Sequence, residues 1–246
     1  MGAEPATRVA IVVGASSGIG RALALRLARD GWTLGLTGRR VLLLESLRDE
    51  IGGATQVQEM DVADVPAATA RLEALIARMG GADLVVLNAG TGARNPDLAW
   101  EREEPALRVN VLGFAALAAA AMRYFLARGR GHLVGISSVS ALRGNRYAPA
   151  YAASKAFVSH YLESLWLYAA KTGLPVAVTD IQPGFVDTDL VRGQDRMFWI
   201  ATPEKAADRI VDAIRRRKKR AVVTRRWVLV AWLARALPDW LYRRIV

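Results

Sequence analysis

Residues 8–20 read RVAIVVGASSGIG, an apolar run followed by a glycine-rich turn. The apolar run is typical of a buried strand, and the apolar positions Leu23, Leu27 and Ala28 then predict a helix. Glycines between a strand and a helix let the backbone approach a phosphate, and the helix offers free N–H groups and the positive end of its dipole. The G-x-x-x-G-x-G spacing is a variant of the dinucleotide-binding fingerprint, although a lone motif of this kind is often only a turn.

Strand and helix patterns alternate along the rest of the chain. Strand patterns cover residues 8–13, 33–37, 55–59, 83–88, 132–137, 176–181 and 221–224, and helical patterns cover 19–30, 41–51, 66–79, 104–128, 150–171 and 203–219. This alternation predicts an α/β fold, a doubly wound parallel sheet of about seven strands with helices on both faces. We expect one catalytic domain over residues 1–224, followed by a basic, Trp-rich tail over residues 225–246.

A second motif, SSVSALRGNRYAPAYAASK, follows the fifth strand pattern and occupies residues 137–155. Its Tyr151 and Lys155 are four residues apart, which places both side chains on one face of a helix. A nearby cation lowers the pKa of a phenol from its ordinary value of about 10, and proton transfer improves as that pKa approaches the working pH. Ser138 is placed to hydrogen-bond an oxygen held at Tyr151, with Ser137 as the alternative.

These motifs occur in an order that resembles the single-domain branch of the short-chain dehydrogenase/reductase family. The resemblance extends over roughly residues 8–224, nearly the whole chain. Its landmarks are GASSGIG at 14–20, Asp61-Val62, Asn88-Ala89-Gly90, Asn110, Ser138, YAASK at 151–155, Pro183-Gly184 and Thr188. The resemblance implies a Rossmann-fold oxidoreductase that transfers hydride between a nicotinamide cofactor and a carbonyl compound or alcohol.

The resemblance also implies roles for four catalytic residues. Tyr151 exchanges a proton with the substrate oxygen, and Ser138 holds that oxygen. Lys155 lowers the pKa of Tyr151 and hydrogen-bonds the nicotinamide ribose. Asn110 holds a water that connects Lys155 to solvent.

The cofactor is expected to lie along residues that the family places around a nicotinamide dinucleotide. These residues are Gly14, Ser16, Ser17, Gly18, Ile19, Gly20, Arg39, Asp61, Val62, Asn88, Ala89, Gly90, Tyr151, Lys155, Pro183, Gly184, Val186 and Thr188. NADP(H) is favoured because Gly38 and Arg39 stand where many dinucleotide folds have an acidic residue for the ribose hydroxyls, and an Arg can pair with a 2′-phosphate. NAD(H) is the alternative, with Arg39 and Arg40 as solvated loop charges and Asn88 as a structural strand-end residue.

Composition restricts the class of protein. The chain has no Cys and two His, so neither a disulfide nor a metal site is expected, and a cytoplasmic location fits. The net charge is +11, and residues 215–246 hold 11 Arg or Lys against one Asp. Because the remaining body is nearly neutral, a nucleic-acid partner is not expected.

Two segments leave alternatives open. The loop over residues 185–201 is rich in apolar residues, which favours a hydrophobic, lipid-like substrate, unless the loop packs on the core. A small polar ketone or sugar, or a non-catalytic regulator of the same fold, are the other functions considered. In the tail, basic clusters alternate with Trp and suit peripheral contact with an anionic membrane, a cover over the substrate site, or the interface of a homodimer or homotetramer.

Overall fold

The computed structural model describes residues 8–190, 198–224, 226–229 and 236–245, and its centre is a sheet of parallel strands. The strands are β1 (Val9–Val13), β2 (Thr33–Gly38), β3 (Gln56–Glu59), β4 (Leu84–Leu87), β5 (Gly131–Ile136), β6 (Val176–Pro183) and β7 (Arg220–Val223). The helices are α1 (Gly18–Arg29), α2 (Val41–Ile51), α3 (Val65–Arg78), α4 (Trp100–Leu107), α5 (Phe114–Arg128), α6 (Pro149–Thr172), α7 (Pro203–Arg215) and α8 (Asp239–Ile245). A π-helical turn, Arg108–Gly113, joins α4 to α5, and a 3₁₀ turn, Val139–Leu142, follows β5.

The predicted fold class is confirmed, and two predicted helix boundaries are wrong. The helix predicted over 203–219 ends at Arg215, because Arg217 adopts a left-handed φ of 47° and the chain then enters β7. The helix predicted over 104–128 begins earlier, at Trp100. Asn95 organises that start, since its side chain bonds both the N–H and the carbonyl of Ala99.

The strand order is β3-β2-β1-β4-β5-β6-β7, and each neighbouring pair is parallel. The order reverses between β1 and β4, which pair directly. Ligands of open α/β sheets bind at such a reversal, beyond the carboxyl ends of the strands. The glycine turn after β1 and the residues after β4 therefore meet at the expected site.

The two faces of the sheet carry separate apolar cores. Along β1, Ala10 and Val12 face the core shared with α1, α2 and α7, whereas Ile11 and Val13 face the core shared with α3, α5 and α6. This alternation follows from the two-residue period of a strand. The run Trp100–Arg128 is apolar and long enough to cross a membrane by composition, and half of its most apolar window is buried within the protein.

The basic run at residues 215–220 is built into the folded body. Four of its members pair with carboxylates: Arg215 with Asp30, Arg216 with Asp212, Lys219 with Glu163, and Arg220 with Asp180. These charges belong to the end of α7 and the start of β7. The tail predicted to bind membrane therefore has fewer unpaired charges nearby than the sequence suggested.

His132 is a buried neutral side chain within β5. Its Nε2 lies 2.8 Å from the Thr179 hydroxyl, and that hydroxyl donates its own hydrogen to the Lys218 carbonyl at 2.6 Å. The hydroxyl therefore accepts from His132, which assigns the hydrogen to Nε2. Burial, with the nearby Arg217 charge, lowers the pKa of His132 from 6.5 to about 4.

This lowered pKa predicts a loss of stability in mild acid. The unfolded chain takes up a proton at His132 below pH 6.5, whereas the folded protein does so only near pH 4. The contribution of neutral His132 to the free energy of unfolding is therefore complete above pH 6.5 and is lost as the pH falls towards 4. The loss amounts to about 3 kcal/mol. Urea unfolding of wild type and His132→Gln at several pH values measures it. The variant should lack this component, and His160→Gln, the control, should retain it.

Candidate active site

A cleft of about 640 Å³ opens at the carboxyl ends of the strands, where the sheet order reverses. The predicted cofactor and catalytic residues all line this cleft except Gly20 and Asn110. Within the described ranges, no cluster of His, Cys, Asp or Glu is arranged to hold a metal. The cleft is therefore the candidate active site of this protein.

The glycine turn is packed tightly against the end of β4. Gly14 has a φ of +85°, and a Cβ added there would lie 2.7 Å from the backbone of Ala89. A Cβ on Gly20 would lie 2.1 Å from the Gly14 carbonyl oxygen, so Gly20 serves the packing of α1 rather than the cleft wall. Asn88 donates its side-chain N–H to the same Gly14 oxygen at 2.7 Å. Asn88 thus has the structural strand-end role that the sequence left as an alternative.

The first turn of α1 points into the cleft without a side-chain cap. Ser17 occupies the N-cap position and makes no capping hydrogen bond, whereas Asp64 caps α3 and Thr202 caps α7. Uncapped N–H groups and the helix dipole favour a bound anion. Thr188 lies against this turn, since a Cβ on Gly18 would come within 2.8 Å of its methyl group. The arrangement fits the pyrophosphate of a dinucleotide.

The end of β2 presents two arginines to the cleft. Arg39 is exposed and lines the cleft, and none of the described carboxylates forms an ion pair with it. Arg40 crosses to the glycine turn, where its guanidinium donates to the Ser16 and Ser17 hydroxyls, and it lies 3.6 Å from Asp189. Sequence reasoning treated Arg40 only as a possible solvated charge, although two consecutive arginines beside a phosphate turn were a usable signal.

Tyr151, Ser138 and Lys155 meet at the inner end of the cleft. The Ser138 side chain lies near the Tyr151 hydroxyl and acts to lower its pKa, and the Ser138 hydroxyl oxygen accepts from the Ser140 N–H at 3.1 Å. The Lys155 ammonium lies 5.8 Å from the centroid of the Tyr151 ring and donates to the Ile136 carbonyl at 3.0 Å. Ser137 points away, into a bond with Asp180. The geometry therefore favours Ser138 over Ser137 as the partner of Tyr151.

Burial dominates the protonation of this group. Loss of solvent raises the pKa of Tyr151, and the Ser138 hydrogen bond opposes that shift. Loss of solvent lowers the pKa of Lys155 to about 8, and the Asp180 charge opposes it. The pKa of Tyr151 is therefore raised and not lowered as expected, because desolvation of the phenol is the largest cause of its shift.

Asn110 lies behind the cleft wall, in the π-helical turn, and is buried. Its amide oxygen accepts from the Thr91 N–H at 2.9 Å, and its amide nitrogen donates to the Thr91 carbonyl at 2.7 Å. The same nitrogen donates to the Ser154 hydroxyl at 2.9 Å, and Ser154 donates to the Tyr151 carbonyl at 2.8 Å. Asn110 therefore connects the loop after β4 to the helix that carries Tyr151. Such π-helical turns are frequent at functional sites.

Comparison with known proteins agrees with this site. The family described as short chain dehydrogenase matches residues 8–197. An uncharacterized oxidoreductase of Myxococcus xanthus is 46% identical over 193 residues, which cover 76% of each chain. The chain belongs to the short-chain dehydrogenase/reductase family. It is accordingly a nucleotide-binding oxidoreductase of the hydride-transfer class.

Solved structures of short-chain dehydrogenases share this architecture. A short-chain dehydrogenase from Sphingobium yanoikuyae in complex with NADPH is 26% identical, with a TM-score of 0.78 and 91% of each chain covered. The 3-ketoacyl-(acyl-carrier-protein) reductase of Brucella melitensis, complexed with NADH, is 24% identical, with a TM-score of 0.80 over 88% of this chain and 96% of that chain. The likeness to both structures agrees with the fold, and the family supports a nicotinamide cofactor.

The C-terminal segment of this short-chain dehydrogenase packs beside the cleft. Trp227 is 3% exposed, its ring lies 5.0 Å from that of Phe185, and it stacks on Phe198 at 5.2 Å. Farther along, the Leu237 carbonyl and the Asp239 carboxylate accept from Arg143, which follows the 3₁₀ turn after Ser138. Neither Trp227 nor Arg143 was predicted as a site residue, because nothing local in the sequence links them to the cleft.

Gly92 controls the space beside Tyr151. A Cβ at Gly92 would lie 2.4 Å from the Tyr151 ring, whereas one at Gly144 would meet nothing within 4 Å. We expect Gly92→Ala to lower the free energy of unfolding by about 1–3 kcal/mol, because the ring has to move in a packed site. Gly144→Ala, the matched control, should change it by less than about 0.5 kcal/mol. Urea denaturation measures both, and equal effects would contradict this account of Tyr151 packing.

Proposed function

We propose that this short-chain dehydrogenase uses NADP(H) to transfer hydride to or from a carbonyl group or secondary alcohol of a hydrophobic substrate. The observation that carries the proposal is the environment of one hydroxyl. The Tyr151 hydroxyl lies near the Ser138 side chain, and Lys155 lies 5.8 Å from the centroid of the Tyr151 ring, on the wall of a cleft that also contains the glycine turn. A proton donor and a dinucleotide site thus share one cavity.

Each residue of this group has a chemical task in the proposal. Tyr151 donates its proton to the carbonyl oxygen during reduction and accepts one during oxidation. Ser138, whose side chain lies near the Tyr151 hydroxyl, would orient that oxygen by a hydrogen bond. Lys155 stabilises the phenolate that forms when Tyr151 gives up its proton. Asn110 holds the Tyr151 helix in place through Ser154, and the predicted water beside it would return protons from solvent.

The residues around the glycine turn fit a dinucleotide. A side chain at Gly14 would collide with Ala89, and one at Gly18 would collide with Thr188, so glycine keeps this part of the cleft open. The uncapped N–H groups of α1 face the same part of the cleft. Asp61, Val62, Pro183 and Gly184 all line the cleft; the first two would hold the adenosine and the last two the nicotinamide. Bound there, the nicotinamide supplies or removes the hydride, and Lys155 would hydrogen-bond its ribose.

The preference for NADP(H) rests on charge at the end of β2. Gly38 leaves no carboxylate to accept from the adenosine ribose hydroxyls. Arg39 has no carboxylate partner among the described residues, so its guanidinium is available for a 2′-phosphate. Arg40 adds a second positive charge against Ser16 and Ser17. Two guanidinium groups at this position favour the more negative cofactor, with NAD(H) as the alternative.

The substrate end of the cleft supports a hydrophobic substrate. Phe185 lines the cleft and contacts Phe198 edge to face at 6.0 Å. Phe198, Trp199 and Ile200 remain partly exposed, at 49%, 43% and 51%. Phe185 in the cleft lining, together with the exposed Phe198 that contacts it, favours an apolar chain beside the reacting carbonyl. Residues 191–197 of this loop lie outside the described part of the chain. A small polar ketone or sugar remains the alternative.

The C-terminal segment is proposed as a wall of the substrate site. Arg143 lies 4.0 Å over the Tyr242 ring, and the Tyr242 hydroxyl donates to the Gly144 carbonyl at 2.8 Å. This segment is therefore attached to the loop between Ser138 and Tyr151. Burial of Trp227 removes one of the rings that the membrane hypothesis needed. Peripheral membrane contact, a cytoplasmic location and a homodimer or homotetramer stay predictions.

Replacing Tyr151 tests the chemical role. Tyr151→Phe should lower the rate of NADPH-dependent carbonyl reduction by at least about 10²–10⁴-fold, because it removes the transferable proton, while NADPH affinity stays nearly unchanged. Lys155→Ala should lower both the rate of carbonyl reduction and the affinity for NADPH. Tyr161→Phe and Lys171→Ala, on the same helix, are the matched controls. A series of aldehydes and ketones of increasing chain length provides the substrates, and wild-type rates in Tyr151→Phe would refute the mechanism.

Replacing Arg39 tests the cofactor preference. Arg39→Asp should weaken NADPH binding by about 1.5–3 kcal/mol, the range for hydrogen bonds to charged groups, and should spare NADH. Fluorescence titration with each cofactor measures the two affinities. Arg102→Asp makes the same charge change at an exposed position outside the cleft lining. Equal affinity of the wild type for both cofactors would contradict the preference.

A further inference from the structure

A buried carboxylate lies next to the proposed catalytic group without being part of it. Asp180 lies inside β6, a strand that is otherwise apolar or neutral, and is 3% exposed. A charged side chain in such a place is costly unless it is paired and hydrogen-bonded. The contacts of Asp180 therefore have to account for its presence.

Four side chains surround the two carboxylate oxygens of Asp180. Oδ1 accepts from the Ser137 hydroxyl at 2.5 Å. Oδ2 accepts from the Ser159 hydroxyl at 2.5 Å, from Gln182 Nε2 at 2.9 Å and from Arg220 Nε at 3.2 Å. Three donors converge on Oδ2 and one on Oδ1, so the carboxylate is held in one orientation.

Two of these partners adjoin the proposed catalytic residues. Ser137 immediately precedes Ser138, whose side chain lies near the Tyr151 hydroxyl. Ser159 follows Lys155 by one turn of α6, so both lie on the same face of the helix. Asp180 thus connects the end of β5 to the helix that carries Lys155. A shift of Asp180 would change the distance between these two elements.

Charge connects Asp180 to Lys155 as well. Lys155 is buried, and Ile136 O, at 3.0 Å, is the acceptor that its ammonium has among the described residues. Burial lowers the pKa of Lys155 to about 8, and Asp180 is the charge that opposes this shift. The other ionisable groups facing the cluster are the Tyr151 phenol, Arg220 from β7, and Glu163, which lies 3.7 Å from Arg220.

We propose that Asp180 is a positioning residue, a buried counter-ion of Lys155 that sets α6 against the end of β5 through its bonds from Ser159 and Ser137. The role rests on the proposed function for its catalytic meaning. The positive charge of Arg220 would neutralise part of the negative charge of Asp180 and so limit the effect of Asp180 on Lys155. The competing account is a structural ion pair between Asp180 and Arg220 that leaves Lys155 unaffected.

Asp180→Asn tests the charge with little change in shape. Its oxygen can take the Oδ2 position and accept from Ser159, Gln182 and Arg220. Its N–H₂ can donate to the Ser137 hydroxyl, which keeps its own bond to the Ile181 carbonyl at 3.0 Å. The variant therefore removes one negative charge while the hydrogen-bond network keeps its partners.

Titration of Lys155 by NMR provides a measurement that needs no substrate. With ¹³C-labelled lysine in the cofactor-free protein, the Lys155 signal is assigned by its loss in Lys155→Met, and the wild-type signal should titrate near pH 8. Removing a neighbouring negative charge makes proton loss easier, so in Asp180→Asn the midpoint should fall by about one pH unit. Arg220→Gln removes a positive charge and should move the midpoint upward. Ser159→Ala removes a neutral hydrogen bond and should leave it unchanged.

Turnover then connects the counter-ion to the reaction. The pH at which carbonyl reduction declines in base should move down in Asp180→Asn and up in Arg220→Gln, following the Lys155 midpoints. Thermal unfolding establishes that each variant is folded. If Asp180→Asn does not fold, the Lys155 midpoints of Arg220→Gln and Ser159→Ala test the proposal in its place. An unchanged midpoint in a folded Asp180→Asn, or an equal shift in Ser159→Ala, would overturn the proposal. A wild type without turnover on any carbonyl would instead overturn the proposed function and leave the NMR result standing.

Discussion

The junction between the glycine turn after β1 and the end of β4 is the contact on which the site depends. Gly14 and Gly20 leave no space for side chains, and Asn88 bonds the Gly14 carbonyl at 2.7 Å. Because the strand order reverses at this point, the junction opens a cleft instead of continuing a covered sheet. The first turn of α1 then faces that cleft with its N–H groups uncapped.

Burial of charge is the second constraint on the site. A charge in the protein interior loses hydration, and the loss is tolerated only with close partners. Asp180 has four donors around it, whereas Lys155 has one carbonyl acceptor among the described residues. This asymmetry explains why the pKa of Lys155 falls to about 8 while the carboxylate remains well supported. The same burial raises the pKa of Tyr151, so the pKa values of the phenol and the ammonium move apart, because burial favours the neutral form of each group.

The sequence predicted the features that depend on local patterns of strands and helices. It did not predict features that depend on the contacts of one side chain with a distant part of the chain. The strand and helix alternation predicted the sheet, yet the last predicted helix ended early because Arg217 turned left-handed. Arg39 was selected from its position after β2, whereas the role of Arg40 depends on the Ser16 and Ser17 hydroxyls across the turn. Nothing in the sequence distinguishes Ser154 from other helix residues, and its hydrogen bond from Asn110 is visible only in the folded structure.

The sequence by itself determined the parallel α/β sheet, the glycine turn and the pairing of Tyr151 with Lys155, because periodicity and short spacings act within one element or its neighbours. Only the tertiary structure decided that Arg220 would reach Asp180 across 40 residues, and that Arg143 would bond Leu237 across 94. Such contacts depend on strand order and on packing between distant segments. A buried network is specified by the pairing of β5, β6 and β7, and no local pattern encodes that pairing.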